Sequence, residues 1–295
     1  MTLKGKVAVV AGGSRGAGKG IALALGDAGA TVYVAGRTTI DGPKPADGAP
    51  GTIDETAEEV TRRGGRGIPV RTDCTDPQQV AALFARIAAD ESRLDVLANA
   101  VWGAADDAKS MDDWMTAWGT PFWQQPVTAW QHMMVSGPCA YFLMSAHALQ
   151  LMAPQKRGLI VGVTDGYFEP KPGETLDPMS GGPLLWKLSH QCINLLMTGM
   201  ANETKKHKIA VVTLMPGFMR TERIVRMLTT EKLKQQFGFD KSETTEYIGR
   251  AVAALAADPR AVAKTGTIQF VATLAEEYGF TDADGRRVPR FNPFG

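Results

Sequence analysis

Short apolar runs rich in valine and isoleucine recur along the chain, each followed by a polar or helical stretch. They read VAVVAG (7–12), TVYVAG (31–36), GIPVRTD (67–73), LDVLANAV (94–101), GLIVGVT (158–164), IAVVTLMPG (209–217) and GTIQFVA (266–272). Near-continuous apolar strands of this length belong to a parallel sheet buried on both faces; a sheet with one wet face would alternate. The segments between them carry helical patterns, beginning with KGIALALGDAGA (19–30). Right-handed crossovers between such strands predict an α/β fold, a doubly wound, seven-stranded parallel sheet with helices on both faces. No repeat and no long linker divides the 295 residues, so a single domain over 1–295 is expected, with inserted loops at about 38–52, 103–130 and 166–182. The last two leave the carboxyl edge of the sheet, where this fold binds ligands.

The turn after the first strand is AGGSRGAGKG (11–20), with Gly12, Gly16 and Gly18 in G-x-x-x-G-x-G spacing around Ser14 and Arg15. Glycines there let backbone N–H groups and a helix N-terminus approach a pyrophosphate. Between a first strand and a first helix, the turn points to a Rossmann-type dinucleotide site. The end of the second strand selects the cofactor, because a carboxylate there binds the ribose 2′-OH and repels a 2′-phosphate. The chain instead has Gly36, Arg37 and Thr38, with Arg15 close by in the Gly-rich turn. Two guanidinium groups and a hydroxyl suit a phosphate, so NADP(H) is the expected cofactor.

Composition narrows the function by exclusion. The net charge of +1 gives no footprint for nucleic acid or an anionic membrane, and no run of 18 apolar residues is present to span one. Cys74, Cys139 and Cys192 lack C-x-x-C spacing, which predicts thiols in a reducing compartment and a cytoplasmic chain. The opening MTLKGKVAVVAGG enters a strand at once, so no signal peptide is expected. Four histidines without an H-x-x-x-H pair argue against a metal site.

These residues together resemble the short-chain dehydrogenase/reductase family over nearly the whole chain. AGGSRGAGKG resembles its T-G-x-x-x-G-x-G, with Ala11 for threonine; TDCTD resembles the adenine-holding segment after strand three, placing Asp73 and Cys74 there. LANAV resembles N-N-A-G and retains Asn99 and Ala100, and MPGFMRTE resembles the P-G segment that would put Pro216, Gly217 and Thr221 by the nicotinamide and diphosphate. PFWQQPVTAW, EEYGFTDADGRRVP and PGTIDETAEEV resemble a divergent branch near mammalian dehydrogenase/reductase member one. The family implies an oxidoreductase and commonly a homodimer or homotetramer.

The family works with an Asn–Ser–Tyr–Lys group, and this chain departs from it. Lys187 matches the lysine, which holds the nicotinamide ribose. The tyrosine position, four residues earlier, is Pro183; the looser seven-residue spacing lands on Ser180. The serine position is Asp165, in the pair Thr164–Asp165, and the asparagine position is Gly137. A positioned general acid contributes roughly 10²–10⁴ in rate, so proline at that place argues against ordinary ketone reduction more than against hydride transfer.

Tyr167 is the nearest alternative proton donor along the chain, or it packs in its loop. Asp165 has three open readings: an anion stabilising an iminium (C=N⁺) electrophile, a protonated acid, or a salt-bridge partner of Lys187. The expected activity is NADPH-dependent hydride transfer to a C=O or C=N bond of a hydrophobic small molecule; the alternatives are non-redox cyclase or dehydratase chemistry and a silent NADP(H)-binding protein. Five of six tryptophans fall at 102–130. They are core packing or a lid, with Trp102 and Trp123 as candidate substrate contacts. Residues 184–201 are apolar nearly all round, which predicts a helix buried on more than one side. His190 is expected to be packed rather than catalytic.

Overall fold

The computed structural model describes residues 2–45, 47–103, 113, 116, 119–165 and 184–290. The apolar runs form β1 (Val7–Ala11), β2 (Thr31–Gly36), β3 (Arg66–Arg71), β4 (Val96–Asn99), β5 (Gly158–Val163), β6 (Ile209–Met215) and β7 (Ile268–Phe270). All neighbours pair in parallel, in the order β3-β2-β1-β4-β5-β6-β7. The order reverses between β1 and β4, the crevice at which doubly wound sheets bind ligands.

Between the strands run α1 (Gly16–Asp27), α2 (Ile53–Arg62), α3 (Pro77–Glu91), α4 (Ala140–Gln155), α5 (Leu184–Thr204), the short α6 (Glu222–Met227) and α7 (Glu231–Gln236), then α8 (Thr245–Ala257) and α9 (Val271–Tyr278). Strand side chains alternate between two cores. Ala8, Val10, Val32, Val34, Val161 and Val212 pack under α1, α2, α8 and α9. Val7, Val9, Tyr33, Leu97, Ile160 and Val211 pack under α3, α4 and α5. Helices on both faces explain why the strands read as unbroken apolar runs.

α1 lies backbone to backbone on α8. A Cβ at Gly20 would fall 1.8 Å from the Thr245 carbonyl oxygen, and one at Gly249 would fall 2.3 Å from that of Gly20. This contact holds the Gly-rich turn, at the head of α1, against a rigid support. α2 begins with a capping box, Thr52 and Glu55 each satisfying the other's backbone N–H. The helix ahead of α4 widens into a π-helical stretch, Gln131–Cys139, that contains Gly137 and Pro138. Pro138 has no N–H to give to the ladder, a local reason for the irregular turn. Of α5, expected to be buried on more than one side, Trp186, His190, Ile193 and Met197 are buried, and Leu184, Leu188, Leu195 and Gly199 form an exposed stripe.

Candidate active site

The loops after β1, β4, β5 and β6 converge on the carboxyl edge of the sheet. Gly12 has φ +80°, and a Cβ on it would lie 2.7 Å from the Ala100 carbonyl oxygen. A Cβ on Gly18 would lie 2.2 Å from the Gly12 oxygen. Only glycine fits either place, so the turn folds tightly, with the Gly12 and Gly13 amides donating to the Ala35 carbonyl at 2.9 and 3.1 Å. Ser14 is buried in the same turn, and Asn99, also buried, donates to Ser145 Oγ at 3.1 Å. Thr221 reaches the turn from β6: its methyl would be 3.7 Å from a Cβ at Gly16. Together these residues form a tight Gly-rich cradle at the head of α1.

Arg15 and Thr38 meet as the sequence predicts, with an Arg15 guanidinium nitrogen 3.3 Å from Thr38 Oγ1. Arg15 also donates to the carbonyls of Pro50 and Gly51, at 3.0 and 2.8 Å, which folds the 38–52 loop down onto the Gly-rich turn. Arg37 is exposed, and its positive charge lies close enough to act on the buried Cys74. Asp73 turns its carboxylate to Thr75 N–H and hydroxyl, at 2.9 and 2.7 Å, shaping the turn before α3.

Three further contacts have no counterpart in the motif reading. Glu222 Oε2 accepts from Gly16 N–H, the first amide of α1, at 2.8 Å. The next residue, Arg223, pairs with Asp47 of the 38–52 loop at 2.6 Å, and Arg226 donates to the Asp47 carbonyl at 3.0 Å. Residues 222–226 are thus clasped between the Gly-rich turn and the inserted loop. An acidic residue directly after Thr221 was the available signal.

Asp165 stands at the carboxyl end of β5. Its N–H donates to His190 Nδ1 at 3.1 Å, which leaves the imidazole proton on Nε2. His190 is buried, stacked on Trp102 (ring centroids 4.6 Å) and edge-on to Trp186 (4.7 Å). Burial pushes its pKa down to about 3, so the ring is neutral and acts as a fixed acceptor that sets the Asp165 backbone. As a residue Asp165 is exposed at the sheet edge, while burial of its carboxyl by the surrounding protein pushes that group up to about 7. Among the described residues no ion pair joins it to Lys187, so the salt-bridge reading finds no support here. Lys187 is half-buried in the first turn of α5, one turn ahead of His190.

A Cβ at Gly137 would lie 3.7 Å from the Trp102 ring, so an indole occupies the space beside the family's asparagine position. Trp102 therefore stands at the site, whereas Trp123 is 69% exposed and edge-on to Phe122 at the surface. Tyr167, Ser180, Pro183, Trp114, Trp118 and the 166–182 loop lie outside the described residues. Among the described residues no cluster of histidine, cysteine, aspartate or glutamate could hold a metal, and no helix is long and apolar enough to cross a membrane.

A family model, short chain dehydrogenase, matches residues 6–167. Dehydrogenase/reductase SDR family member 1 of Mus musculus is 32% identical over 99% of this chain and 88% of its own length; the Homo sapiens protein is 32% identical over 97% and 86%. Among solved structures, a short chain dehydrogenase from Mycobacterium thermoresistibile superposes with a TM-score of 0.74 at 21% identity, covering 99% of this chain and 96% of that one. YwfH, an NADPH dependent reductase involved in bacilysin biosynthesis, superposes with a TM-score of 0.69 at 22% identity, over 90% and 96%. With its sheet order, its Gly-rich cradle and full-length relatives, the chain belongs to the short-chain dehydrogenase/reductase family of oxidoreductases.

Proposed function

We propose that this protein is a single-domain NADPH-dependent reductase that delivers hydride to a C=O or C=N bond of a hydrophobic small molecule, with Asp165, at the family's serine position, taking over the proton-donating role of the missing tyrosine. The observation that carries this reading is Asp165 itself: a carboxyl at the end of β5, raised to about 7 by loss of solvent, with no hydrogen-bond or ion-pair partner among the described residues. A general acid works best with a pKa near the operating pH. Bound NADPH supplies the hydride. Gly12, Ser14, Gly16, Gly18, Asn99, Ala100 and Thr221 would hold its diphosphate half; Arg15, Arg37 and Thr38 the 2′-phosphate; Asp73 and Cys74 the adenine; and Lys187, Pro216 and Gly217 the nicotinamide end.

In this mechanism His190 and the Trp102 stack hold the β5 end still. Lys187 keeps its position on the first turn of α5, and Asp165 gives its proton to a carbonyl oxygen that gains negative charge; beside an iminium, which takes hydride without a proton, it would act as the anion. Trp102 supplies a flat apolar wall for the substrate. NADPH oxidation against a panel of aldehydes, ketones and imines tests the reading. Turnover of at least one class supports it; NADPH binding with product formation but no NADPH oxidation points to non-redox use of the fold.

Glu222 occupies an amide at the head of α1, where a diphosphate would compete with its carboxylate. Glu222→Gln keeps the side-chain length and removes the charge, and it should tighten NADPH binding about 10-fold, since a charge-assisted hydrogen bond is worth roughly 1.5–3 kcal/mol. A fluorescence titration checks this; unchanged or weaker binding refutes the competition.

The exposed stripe on α5, with Phe142 on α4, supports self-association as a homodimer or homotetramer. Light scattering should give a multiple of the chain mass, and Leu195→Lys, at the most exposed of these leucines (75%), should lower it.

A further inference from the structure

Glu243 is a carboxyl group that the reading above does not use, and it is 1% exposed. Its backbone is stitched to the segment after β6: its N–H donates to the Phe218 carbonyl at 2.9 Å, and its carbonyl accepts from Arg220 N–H at 2.8 Å. Its Oε2 accepts from Gly217 N–H at 2.9 Å. Its Oε1 is buried with no hydrogen-bond partner among the described residues.

The charged groups around it are Asp165 from the end of β5, Asp282 from the C-terminal segment, Arg220 from the β6 side, and Arg290, which lines the same hollow. Arg220 is committed elsewhere, at 2.8 Å to Asp284 and 3.9 Å to Asp282, and it donates to the Ser242 carbonyl at 2.7 Å. Arg290 lies over the Phe270 ring at 3.5 Å. Among the described residues no cation is paired with Glu243. An anion here would be a buried charge with a single amide donor and no paired cation among the described residues, next to two like charges; a carboxylic acid would carry no such charge.

We propose that Glu243 is a positioning residue of the active-site edge: bonded to Phe218, Arg220 and Gly217, it fixes the Pro216–Gly217 turn beside Asp165, and it does so as the neutral acid. Burial, Asp282 and Asp165 all push its pKa up, to about 8, against the opposing effect of Arg220. Its titration and that of Asp165 are therefore coupled. Ionising Glu243 obliges Oε1 to find water and loosens the turn that carries Gly217.

The sign of the linkage follows. The folded chain holds this proton more tightly than the ordinary glutamate value of 4.5 allows. The stability it contributes is fully present below that value and is lost as pH rises through about 8.

The test is thermal unfolding of the full chain without nucleotide between pH 5 and pH 9.5. Wild type is compared with Glu243→Gln and Glu243→Met, neither of which can ionise, each with Asp165 intact and as Asp165→Asn. The wild-type Tm should fall relative to both variants as pH rises to 8, by roughly 5 °C or more, and the difference should then level off. With Asp165→Asn the levelling should move to lower pH, because the like charge has gone. A Tm difference that does not change with pH overturns the proposal. So does a levelling point indifferent to Asp165→Asn, or failure of both Glu243 variants to fold at pH 6, where a neutral side chain is what the proposal requires.

A second readout rests on the cofactor assignment above: wild-type affinity for NADPH should fall several-fold between pH 7 and pH 9, and that of Glu243→Gln by less. Wild type that binds no NADPH at pH 7 defeats that assignment, and the thermal measurement then decides on Glu243 by itself.

Discussion

Asp165→Ala is expected to leave NADPH affinity within about three-fold of wild type while lowering turnover of any accepted substrate by about 10²–10⁴, the usual contribution of a positioned general acid. That corresponds to about 3–5 kcal/mol of transition-state stabilisation. Binding is spared because Asp165 meets His190 through its backbone N–H, which alanine retains. Asp165→Asn sharpens the result: it keeps the shape and a donor, yet cannot give up a proton, and should be as slow.

The pH profile carries the sign. A carboxyl raised to about 7 is protonated below that pH, so wild-type turnover of a ketone or aldehyde should fall about ten-fold per unit well above it. Both variants should lose this limb. An iminium substrate should do the reverse and turn over faster as Asp165 ionises through the same range. Steady-state rates from pH 5.5 to 9 separate the two chemistries. Turnover unchanged in Asp165→Ala would remove Asp165 from the mechanism altogether.

Replacing Arg15 and Arg37 together by alanine should weaken NADPH binding about 100-fold and leave NADH within about three-fold, from roughly 10-fold per charge-assisted contact at two partly exposed sites. The structure puts the Arg15 guanidinium on Thr38 Oγ1, while Arg37 is exposed next along the chain. Arg15 also holds Pro50 and Gly51, so its loss loosens the 38–52 loop. NADH serves as the control, since a loop effect weakens both nucleotides and the loss of a 2′-phosphate contact weakens one. Equal loss for both would refute the phosphate role.

Much of the fold was legible in local pattern. The seven apolar runs coincide with the seven strands to within a few residues at their ends; the five inner strands are covered on both faces and nearly all buried, while the edge strands β3 and β7 are only partly so. The Gly-rich turn was legible for the same kind of reason: backbone that must approach backbone within a Cβ radius admits only glycine, and such spacing is a property of consecutive residues. Lys187 and Asp165 could be placed by counting along the chain. The π-helical stretch at 131–139 was not, since a widened turn leaves no periodicity of its own.

The chain by itself determined the order of elements, the covered sheet and the Gly-rich turn, all of which depend on residues close in sequence. Only the tertiary structure decided which distant groups meet. Glu222 reaches Gly16 across 206 residues, Arg223 reaches Asp47 across 176, and His190 fixes the backbone of Asp165 from another element. The same holds for charge: Asp165 and Glu243 are acids of ordinary sequence, and their protons are retained because packing removes solvent and brings like charges together. Desolvation and long-range charge are properties of the assembled edge, summed over several loops, and no local stretch of residues encodes that sum.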